Sequence, residues 1–300
     1  MLEPLILVVQ GPTASGKTAL AIALAQHFNT EIISFDSRQF YKEMSIGTAV
    51  PSPQELNAVP HHFIQHASFQ DAINASQFEE QARPLLELLL SERGVVVLVG
   101  GSALFADALI YGLDDLPHDP MVQLKWQEGF KEKGLEFLQA ELQRLDPAYF
   151  AQIDVYNARR LIRALEVFEI TGVSNCILRK GLEKPLARTE RIVIDWPREQ
   201  LYARINERVD LMLAEGLEAE AAQFFPVHTQ YKTLNTVGYT EFFTCWNKEL
   251  DKEQVSSLIK QHTRNYAKRQ LTWMRRYENV HYLNPLATES LLSQVLNRIG

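Results

Sequence analysis

Residues Gly11-Pro12-Thr13-Ala14-Ser15-Gly16-Lys17-Thr18 satisfy the spacing G-x-x-x-x-G-K-[ST]. In that pattern the glycines let successive backbone N–H groups curl around an anion, and the helix that follows presents its positive end. Lys17 then reaches a terminal phosphate, and the Thr18 hydroxyl offers an oxygen to Mg2+. Asp36 follows in Ser34-Phe35-Asp36-Ser37-Arg38-Gln39; a carboxylate there holds Mg2+, acts as a general base, or merely caps the next turn. Gly100-Gly101-Ser102 is informative by omission. Phosphate-loop proteins that hydrolyse nucleotides hold Mg2+ with an acid on a later strand, whereas here two glycines and a neutral hydroxyl stand in that place. The chain therefore binds a phosphorylated ligand without an evident device for activating water.

The elements that must position these groups are readable from hydrophobic texture. Leu5–Val9 and Gly94–Val99 are continuous apolar runs, and Glu31-Ile32-Ile33-Ser34-Phe35 reads as a second short strand ending at Asp36. Runs without alternation predict parallel strands buried on both faces. Thr18–Phe28 between the first two predicts a helix, and Ser76-Gln77-Phe78-Glu79 reads as a capping box opening another toward Leu90, with Pro84 as a kink or late start. The fold class is then α/β, a phosphate-loop parallel sheet flanked by helices. Functional groups of such sheets gather beyond the carboxyl ends of the strands, which places Asp36 in one crevice with residues 11–18.

After the linker Asp114–Pro120 the strand signals vanish. Helices are predicted over Gln123–Glu132, Leu135–Arg144 and Asn157–Thr171, the last stopped by Gly172, before a strand returns at Arg191–Trp196. This is an all-helical insertion: 1–115 form the first part of the core, 116–186 the insertion, and 187–300 the second part, helical from Arg198 onward with a loop at Pro226–Val237.

Composition narrows the function. Three hundred residues with 46% apolar and 22% charged content describe an ordinary globular protein. Two cysteines, Cys176 and Cys245, exclude a disulfide framework or cysteine zinc site and are expected as buried apolar thiols. No basic segment precedes a long apolar run, so neither a signal peptide nor a membrane span is expected, which predicts a cytoplasmic protein. No apolar heptad stands out, which predicts a monomer. The net charge of −7 opposes a nucleic-acid partner in sum, yet local charge runs the other way. Between Ile259 and Arg276 there are six basic residues and no acid. Lys260, Arg264, Lys268 and Arg275 share a helical face, roughly opposite Tyr266, Gln270, Trp273 and Tyr277. The pattern fits a helix packed on the core while showing charge to a polyanion, or an ordinary solvated helix. Arg159-Arg160-Leu161-Ile162-Arg163 is a second basic cluster. Arg208 reads as a solvated charge unless its helix crosses the phosphate pocket. His61-His62 point to opposite faces of a strand and so chelate poorly; they are read as hydrogen-bonding residues.

Taken in order, seven landmarks make the sequence similar to the tRNA dimethylallyltransferases (tRNA isopentenyltransferases) along nearly its whole length. They are Gly11–Thr18, IISFDSRQFYKEMSIGTAVP (Ile32–Pro51), PHHFI (Pro60–Ile64), LVGGSALF (Leu98–Phe105), RRLIRALEVFEITG (Arg159–Gly172), TVGYTE (Thr236–Glu241) and YAKRQLTWMRR (Tyr266–Arg276). The resemblance implies that the phosphate is the diphosphate of dimethylallyl diphosphate. Its prenyl group would go to the exocyclic N6 amine of the adenosine 3′ to the anticodon, in tRNAs reading codons that start with U. It implies Asp36 as the base, with Thr13, Lys17, Thr18 and Arg208 handling the diphosphate, together with Mg2+. It implies tRNA contacts from Asp36-Ser37-Arg38-Gln39, from Ser102, from Arg159–Arg163, from Asn235-Thr236-Val237-Gly238-Tyr239-Thr240, and from Lys268, Arg269, Gln270 and Arg275. The helical insertion would grip the anticodon stem-loop. Phe35, Val50 and Ser102 depart from the family's small residue, Lys and Thr, so Phe35 is expected to alter the pocket and Val50 to lose a charge contact. A kinase of a small metabolite and a non-catalytic RNA-binding protein are the rival readings.

Overall fold

The apolar runs Leu5–Val9 and Gly94–Val99 lie side by side at the centre of a sheet. The computed structural model describes residues 3–179, 184–248 and 250–299. In it β1 (Leu5–Gln10) and β4 (Val95–Gly100) pair in parallel, and every residue of both is buried. With β2 (Ile32–Ser34), β3 (His61–His62), β5 (Arg188–Ile194) and β6 (Val280–Leu283) they make a six-stranded sheet of order β3-β2-β4-β1-β5-β6, parallel throughout. The chain leaves β1 for β2, then returns to insert β4 between them. The loops after β1, β2 and β4 therefore meet at one carboxyl edge.

Around the sheet run α1 (Lys17–His27), α2 (Pro53–Ala58), α3 (Ala75–Arg93) and α4 (Ala103–Tyr111). The chain then forms α5 (Pro120–Lys133), α6 (Leu135–Leu145), α7 (Pro147–Phe150), α8 (Ala158–Thr171) and α9 (Asn175–Leu178). After β5 come α10 (Arg198–Ala214), α11 (Leu217–Phe224), α12 (Thr240–Trp246), α13 (Lys252–Met274) and α14 (Leu291–Ile299). Two compact units result, 1–110 with 185–300, and 111–184. Among the described residues no helix is long and apolar enough to cross a membrane.

One face of the sheet is packed with Leu7, Val9, Val97, Ile192 and Ile194 against Leu20 and Leu24 of α1 and Val295 of α14. Burying each such side chain contributes roughly 1.5–3 kcal/mol, so this layer holds the edge on which the phosphate loop sits. The helical unit has its own core of Trp126, Leu138, Leu142, Leu161, Ile162, Ala164 and Leu165. Its entry is tied by buried Glu166, which accepts from Asp119 N at 3.0 Å and pairs with Arg163 at 3.0 Å and His118 at 2.5 Å.

Several local expectations change. The α3 capping box uses Asn74 and Gln77, two residues earlier than the Ser76–Glu79 reading, because Asn74 reaches the N–H groups of both Ser76 and Gln77. Pro84 lies inside an unbroken helix and does not delay its start. The region after Arg198 is not wholly helical, since β6 adds an edge strand. Val280 and His281 are only half-buried and Tyr282 is exposed, so no continuous apolar run announces it. Cys176 and Cys245 are half-buried thiols, not buried ones.

Candidate active site

The phosphate loop takes its shape from backbone geometry that few residues tolerate. Gly16 caps α1 at φ +94°, in the left-handed region that favours glycine. A Cβ on Gly11 would lie 2.9 Å from Ser15 Oγ. From outside, the loop is clamped by residues leading into and along α10. Trp196 Nε1 donates to Ser15 O at 2.9 Å, and Arg204 Nε to Ala14 O at 2.8 Å. Arg208 Nη1 donates to Thr13 Oγ1 at 3.2 Å. Arg204 and Arg208 stand four residues apart, on the same side of the helix, and that side meets the phosphate loop. Arg208 is thus not the solvated charge its sequence context suggests; desolvation and the neighbouring Arg204 lower its pKa.

Asp36 follows β2 on a tight turn, with Gln39 N donating to Asp36 O at 2.9 Å and Arg38 N to Asp36 Oδ1 at 3.2 Å. The close approach of β2 and β4 here depends on Gly100, where a Cβ would sit 2.6 Å from the Phe35 ring and 2.8 Å from Asp36 N. Phe35 itself is fully buried and absent from the cavity lining, so the expected change of pocket shape is not its direct effect. Ser102 Oγ is 2.9 Å from Ser37 Oγ and accepts from Ser37 N at 3.1 Å, which holds the Asp36 turn to the end of β4.

A cavity of about 290 Å3 opens between these loops. Thr13, Lys17, Thr18, Asp36, Arg38, Gln39 and Arg208 line it, as do Asn235, Thr236, Val237, Gly238, Arg269 and Gln270. Thr48, His61, Ile64, Met212 and Tyr266 complete much of the remaining wall. Lys17 Nζ donates to Pro12 O at 2.8 Å. Burial lowers its pKa to about 8, against the opposing pull of Asp36 and with a further push from Arg208. Burial and the Asp36 charge raise the Tyr266 hydroxyl well above its ordinary range, so it stays protonated and can donate.

Two walls are held by buried carboxylates to which sequence reasoning gives no role. Glu220 accepts from Ser45 N at 3.0 Å, Ile46 N at 2.9 Å, Gly47 N at 2.8 Å and the Tyr239 hydroxyl at 2.7 Å. Gly47 must lack a side chain because a Cβ would fall 2.5 Å from the Tyr239 ring. Glu241 accepts from Gly238 N at 2.7 Å and pairs with His262 at 2.5 Å.

The remaining expected contacts divide. Tyr239 is fully buried, and Leu161 and Ile162 belong to the core of the helical unit, so their side chains are not presented to a partner. Arg159 and Arg160 are exposed on α8, while Arg163 donates to Pro117 O at 2.8 Å and Leu116 O at 2.9 Å. The predicted cationic face of α13 is half consumed internally. Lys260 pairs with Asp210 at 2.6 Å and Arg264 donates to Asn206 Oδ1 at 2.7 Å, leaving Lys268 and Arg275 exposed. His61 and His62 bond Val59 O and Glu31, and no cluster of three or more His, Cys, Asp or Glu suited to a metal occurs among the described residues.

The sequence profile of the IPP transferase family matches residues 39–277. A tRNA dimethylallyltransferase of Christiangramia forsetii is 48% identical over 89% of this chain and 88% of its own length. One from Cytophaga hutchinsonii is 42% identical over 93% and 92%. The crystal structure of the tRNA isopentenylpyrophosphate transferase of Bacillus halodurans superposes with a TM-score of 0.73 at 32% identity, over 99% of this chain and 95% of that one.

Proposed function

The chain belongs to the IPP transferase family, and we propose from that premise that it transfers the dimethylallyl group of dimethylallyl diphosphate to the N6 amine of the adenosine 3′ to the anticodon in tRNAs reading U-starting codons, releasing diphosphate. The observation that carries this reading is the single cavity lined by Lys17, Thr18, Arg208 and Asp36. It offers cations and N–H groups to a leaving diphosphate and a carboxylate to a nucleophile, with no acid at the end of β4 to activate water.

Each residue has a definable task. Lys17 and Arg208 stabilise the charge that develops on the diphosphate as the allylic C–O bond breaks. Thr13, held by Arg208, presents its hydroxyl to the same group. The adenine amine is a weak nucleophile; as its nitrogen bonds to the prenyl carbon, Asp36 accepts the proton it loses. Excluding water protects the allylic donor from hydrolysis. An adenine stacked in an anticodon loop must leave the stack before it can enter. Mg2+ suits the hard oxygen set offered here, the Thr18 hydroxyl together with the donor's own phosphates, because Mg2+ is usually held through substrate phosphates and few protein oxygens. When bound it supplies further charge neutralisation to the leaving group. The exposed Arg159, Arg160, Lys268, Arg269 and Arg275 suit a phosphodiester backbone. We place the activity in the cytoplasm and assign it to a monomer.

The test is direct. The purified protein is incubated with Mg2+, dimethylallyl diphosphate and unmodified tRNA, and the nucleosides are analysed by mass. A prenylated adenosine is expected. Phosphate transfer from ATP to a small metabolite, with no prenylated nucleoside, would overturn the reading.

A further inference from the structure

We propose that Gln270 is a positioning residue, a carboxamide brace that sets the phosphate loop against the turn carrying the base; the proposal rests on the reading above and removes Gln270 from the direct tRNA contacts. Gln270 belongs to the basic stretch of α13 but is buried, between exposed Arg269 and half-buried Leu271. Its side chain points into the protein. Thr13 N donates to Gln270 Oε1 at 3.1 Å, and Gln270 Nε2 donates to Gly101 O at 3.1 Å. A carboxamide has one acceptor end and one donor end, so a backbone N–H and a backbone carbonyl admit only this orientation.

The partners give the brace its meaning. Thr13 is the phosphate-loop residue whose hydroxyl is held by Arg208. Gly101 is the residue at which a Cβ would lie 2.2 Å from Gln270 Nε2 and 3.4 Å from Asp36 Oδ2. The glycine thus makes room for the carboxamide, and the carboxamide spans from the group that meets the diphosphate to the backbone beside the base. With Thr13 N engaged, its hydroxyl remains to face the donor. The helix is itself anchored one turn on. Trp273 Nε1 donates to the Tyr277 hydroxyl at 3.1 Å, which donates to Asp107 at 2.8 Å, and Asp107 pairs with Arg191 at 2.7 Å. Leaving group and base act on opposite partners of one bond exchange, and a displacement of about 1 Å between such groups can cost about a hundredfold in rate.

Two variants test this. Gln270→Met keeps the length and removes both hydrogen bonds; it should lower kcat by about 10- to 100-fold while the tRNA KM stays within about threefold. Gln270→Glu places an acceptor against Gly101 O when ionised, but regains the amide's pattern once protonated, a form that burial favours. Its rate relative to wild type should therefore climb as pH falls from about 8.5 to about 6, with no such climb for Gln270→Met. A purely structural role would lower the melting temperature and leave the relative rate of Gln270→Glu flat with pH. Wild-type kcat in Gln270→Met, or that flat profile, overturns the brace. A readout independent of prenyl transfer is hydrogen exchange at the Thr13 amide, expected about tenfold or more faster in Gln270→Met. If wild-type protein made no prenylated adenosine, the functional reading would fall while this exchange still judged the brace; unchanged exchange overturns it.

Discussion

The phosphate-loop corner and the 45–47 and 236–240 loops contribute to one cavity but are held by different means. Residues 11–18 are fixed mainly by backbone geometry, by donors that reach in from Trp196, Arg204 and Arg208, and by the Gln270 carboxamide oxygen, which accepts from Thr13 N. The other two loops are fixed by single buried carboxylates, Glu220 and Glu241, each gathering several donors at once. In the first region Lys17, Asp36 and Arg208 line the cavity, while Arg204 clamps the loop from outside; in the second the carboxylates are spent on scaffolding. Charge that serves chemistry and charge that serves architecture therefore fail differently when removed.

The strongest break of this contrast is Asp36→Ala. Loss of a general base lowers rate by about 10^2–10^4-fold, so prenyl transfer should fall that far while the melting temperature and tRNA affinity stay near wild type. An equally large fall in thermal stability would show that Asp36 is scaffold rather than chemistry. Glu220→Ala should do the reverse. It leaves the buried Tyr239 hydroxyl and the partly exposed N–H groups of Ser45, Ile46 and Gly47 without their acceptor, at about 1–3 kcal/mol for the hydroxyl and less for each N–H that water can reach. A melting temperature lower by about 5–10 °C is expected by calorimetry, with residual activity in the folded fraction. A variant that melts like wild type would contradict the scaffolding role.

What was legible follows the same division. Lys17 and Thr18 stand out because a phosphate demands particular residue types at fixed spacing along a single turn, a constraint written locally, and Asp36 because it ends a short strand whose carboxyl edge must meet that turn. Glu220 does not stand out, because Glu218 in the same short helix has the same type and opposite fate: Glu218 pairs with exposed Lys252, whereas Glu220 is buried. Only the tertiary packing of α11 separates them. Arg208 was obscured for the same reason, since nothing local says that α10 passes the phosphate loop. The sheet was readable from runs buried on both faces, but β6, an edge strand with exposed Tyr282, carries no such mark.

Lys17 gives an intermediate effect with a definite sign. Its pKa is lowered to about 8, mainly by burial, so its charge is present below that pH and is lost as pH rises through it. Affinity for dimethylallyl diphosphate, measured by calorimetry, should weaken by up to about tenfold between pH 7 and 9, one opposing charge having been removed. Lys17→Arg stays charged throughout and should flatten the profile. Stability runs the other way: the folded state binds fewer protons than the unfolded one between about 8 and the ordinary lysine value of 10.5, so this residue's contribution rises with pH across that window.

The smallest effects separate two lysines of one helix. Lys260 and Lys268 belong to the same basic run of α13, yet Lys260 is paired with Asp210 whereas Lys268 is exposed. A lysine already neutralised by a carboxylate releases few counterions from a nucleic acid, while a free one releases about one. Lys268→Ala should therefore weaken tRNA binding a few-fold, uniformly across tRNA sequences, and reduce the slope of log affinity against log salt by about one. Lys260→Ala should leave that slope unchanged, and any loss should appear as a small drop in stability, since exposed and half-exposed ion pairs contribute about 0–1 kcal/mol. Equal slopes for the two variants would show that the run acts as one diffuse field, and that the division of α13 into a docked and a presented half has no energetic consequence for the RNA.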